Sequence, residues 1–123
     1  GSIENPEAFH RHLCSPQIAE LYSHEAIRSR VRLHVMDAFK AVYHGGPRDN
    51  PACRVQFNAV FASTDPVALD RVGSDIVDQL RTQNRMTTLA ARGLPVRYLE
   101  SAETLGLGVA NRDRIQIRAV DLT

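Results

Sequence analysis

A chain of 123 residues, 43% hydrophobic and 24% charged, has the composition of one folded domain with a modest core. The formal net charge is +1, acidic and basic residues interleave, and the arginines from Arg28 to Arg32 are too few for a nucleic-acid surface. No apolar stretch approaches the roughly 20 residues that cross a bilayer, so neither nucleic acid nor membrane is expected as a partner.

The first fifteen residues carry an Asn5-Pro6 turn signal and then Phe9-His10-Arg11-His12, without sustained periodicity. Pro16 suits the first position of a helix capped by Ser15, with Ile18, Ala19, Leu21 and Tyr22 as its apolar stripe. A short helical turn is expected around Glu25 to Arg30. From Val31 the period becomes two: Val31, Leu33 and Val35 alternate with Arg32, His34 and Met36, which predicts a strand with one face buried. It runs into Asp37 and a segment ending His44-Gly45-Gly46-Pro47, followed by Arg48-Asp49-Asn50-Pro51. This is the strongest loop signal in the chain, in a loop long enough to be functional or mobile.

Val55 to Ala62 predicts a second strand, whose four apolar closing residues suit a central position covered on both faces. Ser63-Thr64-Asp65 supplies N-cap chemistry and Pro66 fits a first helical position, where its missing N–H costs nothing. Leu69, Val72, Ile76 and Leu80 then form a helical stripe. Gly73 inside it weakens the helix by roughly 1 kcal/mol relative to alanine, which close packing on the sheet would explain. A second helix is predicted over Val96 to Leu105, ending at Gly106-Leu107-Gly108, and a third strand over Ile115 to Val120. Strands separated by helices predict an α/β fold: a mostly parallel sheet of three or more strands with helices packed against it, in a single domain over residues 1–123.

On that fold, Asp37 and Asp65 stand at the carboxyl ends of the first two strands, with Asp70 one helical turn further on. Ligands of open α/β sheets bind at such ends, and convergent carboxylates there can hold a cation or act as acid and base. Each has a structural reading too. Asp65 as an N-cap is worth roughly 1 kcal/mol, Asp37 can cap the next turn, and Asp70 can face solvent or pair with Arg71 or Arg97. His44 beside Tyr43 puts an imidazole and a phenol next to the Gly45-Gly46 backbone, which can cradle an anion or simply turn. His10 and His12 form a metal-ligand pair only if a third ligand joins them. Cys14 and Cys53 are compatible with one bridge or with two thiols, and neither lies in a Cys-x-x-Cys pair. No iron–sulfur cluster is therefore expected to be bound by this segment alone.

Asn5-Pro6 with Phe9-His10, Ile18-Ala19-Glu20-Leu21, Asp37, Gly45-Gly46-Pro47, Ser63 to Asp70, Tyr98-Leu99 and Gly106-Leu107-Gly108 occur in this order. Together they resemble the carboxyl-terminal part of the family of domain of unknown function 362, over most of the chain. Ser63-Thr64-Asp65-Pro66-Val67-Ala68-Leu69-Asp70 is the most specific element. The resemblance implies a bacterial or archaeal protein, cytoplasmic or exported, of a largely uncharacterised family in which some members carry an iron–sulfur module. It also implies a missing amino-terminal part as partner, and makes Gly1-Ser2, otherwise a cloning remnant, compatible with native sequence.

Two functional expectations result. One is a redox- or metal-associated enzyme module in which Asp37, His44, Asp65 and Asp70 converge at the strand ends beside Gly45 and Gly46. The other is a non-catalytic module that packs against the missing domain or its own copy, with dispersed aspartates and an exposed apolar patch.

Overall fold

The computed structural model describes residues 3–122; Gly1, Ser2 and Thr123 lie outside the described residues. Two strands, β1 (His34–Val42) and β2 (Arg54–Ser63), form an antiparallel hairpin. Four helices accompany it: α1 (Gln17–Ser23), α2 (Glu25–Arg28), α3 (Pro66–Gln83) and α4 (Arg97–Thr104). The expected parallel sheet of three or more strands is therefore incorrect. Its error lies between Val42 and Arg54. Parallel neighbours need a crossover of a dozen or more residues, usually helical, whereas this link holds only a short 3-10 turn at Pro51–Cys53. Glycine and proline reverse the chain, and Tyr43 N–H donates to the Cys53 carbonyl at 3.0 Å to close the hairpin.

The register pairs His34 with Ser63 and Val42 with Arg54, with an irregularity between Ala38 and Lys40. Asp37 consequently lies inside β1, opposite Val60, and not at a strand's carboxyl end. β2 alternates between half-buried and exposed positions, so the two-sided burial expected for it is also absent. Residues 115–120 form no regular element and join no ladder among the described residues. Alternation of Ile115, Ile117 and Ala119 satisfies the pattern of a strand, yet a strand also needs a neighbour's row of donors and acceptors.

Helix α3 begins as its sequence predicts. Asp65 caps it by accepting from Ala68 N–H at 2.8 Å, with Pro66 in the first turn. It packs on both strands, and a Cβ on Gly73 would come within 3.0 Å of Met36 Sδ, the close approach expected there. Helix α4 stops in a Schellman arrangement: Gly106, at φ +67°, donates to Glu103, and Leu107 donates to Ala102. Ser15 does not cap α1, since its hydroxyl lies 2.9 Å from that of Ser101 on α4.

The core is a cluster of Ala19, Val67, Leu99, Ala102, Leu107 and Ala110, walled by Tyr22, Val96 and Tyr98. It joins α1, the start of α3, α4 and the chain that follows, so it sits at one end of the hairpin. The sheet's other face stays bare: Val35 is 63% exposed, Phe39 55% and Val60 55%. The accessible surface is 8871 Å², whereas a compact monomer of 13.7 kDa exposes about 6,600 Å². No helix among the described residues is long and apolar enough to cross a membrane.

Candidate functional site

A cleft of about 590 Å³ lies over the core, bounded by α1, the start of β1, α3 and α4. Most of its wall is apolar, with Ile18, Met36, Leu69 and Leu99 among the contributors. Four polar side chains enter it from four elements: Tyr22 of α1, His34 at the first position of β1, Asp70 in the second turn of α3 and Tyr98 near the start of α4. They form two pairs. The Tyr22 hydroxyl lies 3.1 Å from His34 Nε2, with the rings tilted at 58° and their centroids 5.6 Å apart. The Tyr98 hydroxyl donates to Asp70 Oδ2 at 3.2 Å.

Asp70 sits at the exposed rim, yet the protein packed behind it raises its carboxyl above the ordinary value of 3.8. The Tyr98 hydrogen bond and the His34 imidazole oppose that rise without cancelling it. Tyr98 is pushed well above the usual phenol range, mainly by burial, then by the carboxylate of Asp70 beside it and the nearby Cys14 thiol. The phenol is thus held as a neutral donor. The carboxyl is held closer to neutrality than a free one, and an imidazole stands within its field. This arrangement can take up or deliver a proton at the cleft mouth.

Of the four acid–base residues expected from sequence, Asp70 alone lines this cleft. Asp65 is occupied structurally: besides capping α3, its Oδ2 accepts from Val109 N–H at 2.9 Å, and its own N–H donates to the Ser63 hydroxyl at 2.9 Å. A Cβ on Gly108 would stand 2.0 Å from Asp65 Oδ1, so the loop after α4 can approach only because that residue is glycine. Asp37 is exposed and accepts from Phe39 N–H at 2.9 Å, capping the irregularity in β1. His44, Gly45 and Gly46 lie at the opposite end of the hairpin. The eight-residue offset between His34 and Val42 puts that end roughly 25 Å away.

The parallel-sheet premise that brought Asp37 and Asp65 together does not hold. In the sequence Tyr22 belongs to an apolar helical stripe, His34 to a strand alternation and Tyr98 to a separate predicted helix. Nothing local in the sequence joins them. Among the described residues no group of three or more His, Cys, Asp or Glu side chains is placed to hold a metal ion. His10 instead lies 3.7 Å from Glu7 on the surface. Cys14 and Cys53 are free thiols. Cys14 neighbours Tyr98 and Cys53 neighbours Tyr43, which places them at opposite ends of the hairpin.

A family model described as a domain of unknown function (DUF362) matches residues 2–75. The match spans both strands and half of α3, including Tyr22, His34, Asp65 and Asp70, and stops short of Tyr98 on α4. No curated protein and no solved structure matches the chain.

Proposed function

The chain belongs to the domain of unknown function 362 family, and on that premise we propose that it is an acid–base module. In this reading the cleft between His34, Asp70, Tyr22 and Tyr98 binds a small, partly apolar molecule and exchanges a proton with it. The observation that carries the reading is the Asp70–Tyr98 pair: a carboxyl raised by its surroundings, open to solvent on one side and held by a phenol on the other. Its place in a mainly apolar cleft of about 590 Å³ supports the same choice. Asp70 is the proton donor and acceptor, Tyr98 fixes it, and His34, held by Tyr22, takes the complementary role. Among the described residues no group of three or more His, Cys, Asp or Glu side chains supports a metal-associated role. Most of the chain is read as the carboxyl-terminal part of the family's domain.

A screen of small organic acids, amides and alcohols by amide NMR tests the proposal. Binders are expected to shift Tyr22, His34, Asp70 and Tyr98 together and to lose at least tenfold in affinity with Asp70→Ala. Binders that cluster elsewhere, or that ignore the substitution, would overturn it.

The bare sheet face favours a second reading, in which this domain also packs against an amino-terminal part of the same protein. The surface in excess of a compact monomer is about 2,300 Å², more than a standard interface buries in total. A lone two-stranded hairpin is also marginal in water. Hydrogen exchange should find the outer edges of β1 and β2 unprotected in this chain and protected in a longer gene product. Protection that appears on dimerisation of this chain would instead assign the face to a second copy.

A further inference from the structure

At the hairpin's other end we infer a binding site for a small oxyanion, of which inorganic phosphate is the simplest example. The key residue is Arg81 on α3, 2% exposed and the one buried charged side chain among the described residues. Its Nε donates to the Thr87 carbonyl at 2.8 Å and its Nη1 to the Tyr43 carbonyl at 3.0 Å. Those bonds to neutral carbonyls fix the guanidinium without supplying a counter-charge. The ion pairs His10–Glu7, Arg54–Asp49, Arg112–Asp75 and Arg114–Glu103 do not involve it. Asp78, one turn earlier, directs its carboxylate to Leu89 N–H at 2.7 Å. A buried guanidinium stays protonated, and burying it without a counter-charge is costly. An anion supplies that charge.

The surroundings fit one. Arg81 lines a cavity of about 300 Å³ together with His44, Gly45, Gly46 and Arg92. Arg92 Nη1 lies 2.8 Å from His44 Nδ1. Arginine can only donate, so Nδ1 accepts and the imidazole proton sits on Nε2, leaving His44 a further donor. Gly45 adopts φ +93°, and a Cβ there would meet Asn50 Nδ2 at 2.9 Å. Nothing lies within 4 Å of the place a Cβ would take on Gly46, so its backbone can be approached closely. Asn50 Nδ2 in turn donates to the His44 carbonyl at 3.2 Å and holds the turn in shape. Two guanidinium groups, an imidazole donor and open glycine backbone around one cavity are the recognition chemistry of a phosphate or carboxylate group.

Titration of the chain with sodium phosphate, and separately with sodium acetate at matched ionic strength, tests the site by amide NMR and calorimetry. Saturable shifts at Gly45, Gly46 and Arg92 are expected, with phosphate at least tenfold tighter than acetate if the site takes a phosphoryl group. The reverse order would make its ligand a carboxylate. Arg92→Ala and His44→Ala, neither of which touches the core, are each expected to weaken binding about tenfold. Asp70→Asn is expected to leave it unchanged, which separates this site from the cleft. Shifts that do not saturate, or equal affinity in Arg92→Ala, would overturn the inference. Arg81→Lys, which keeps the charge but loses the fork, should bind more weakly than wild type while remaining folded by circular dichroism.

Discussion

The two ends of the hairpin are built from opposite chemistry. At the end where β1 begins and β2 finishes, a carboxyl and two phenols converge over the core with one imidazole. At the turn end, two guanidinium groups and an imidazole line one cavity beside glycine backbone, and no carboxylate among the described residues lines it with them. The first end is closed by packing: Asp65 ties α3 to the loop after α4. At the second, the Tyr43 and Thr87 carbonyl groups hold a buried cation. The contrast teaches that one hairpin holds a raised carboxyl where the core packs around it and a buried guanidinium held by carbonyl groups at its turn.

The largest expected effect lies at the packed end. Gly108→Ala is expected to lose about 3 kcal/mol in urea unfolding, because its Cβ would overlap the Asp65 carboxylate. Asp65→Ala is expected to lose about 2 kcal/mol, one part for the cap and one for the bond to Val109. The double variant should cost less than the sum, since removing the carboxylate removes the overlap it causes. Strict additivity would show that the two residues do not act on each other.

The next effect is one of pH. Asp70's carboxyl is raised on folding, so the folded state holds its proton more tightly than the unfolded state. Its contribution to stability is full below the ordinary value of 3.8 and is lost as pH rises through the raised value. The stability difference between wild type and Asp70→Asn should therefore fall with rising pH across that window and stay level above it. A difference that grows with pH would reverse the assignment. Smallest is Asp37→Ala on the bare face, where one exposed cap is lost and less than about 1 kcal/mol is expected by the same unfolding measurement.

What could be read from sequence was local. Asp65 and Pro66 announce the start of α3 through chemistry confined to four residues, and Gly106 announces the end of α4 in the same way. The existence of both strands was legible, β1 from the alternation that leads into it and β2 from its apolar run, but the alternating burial of β2 was not. Strand direction was not, since it depends on how residues 43–53 turn, and nothing in a strand's period encodes it. The cleft was illegible for a related reason: Tyr98 and Asp70 are 28 positions apart, and Val109 lies 44 from Asp65. Arg81 was invisible as well, because an arginine beside Leu80 on a helix is ordinarily solvated; its burial arises from the Tyr43 and Thr87 carbonyls that fold over it.

The acid–base reading stands most directly on the titration of Asp70 itself, followed by carbon-detected NMR of its carboxyl group. The midpoint is expected above 3.8. It should move higher still in Tyr98→Phe, which removes a hydrogen bond that favours the charged form. A midpoint at or below the ordinary carboxylate value, unmoved by Tyr98→Phe, would contradict it.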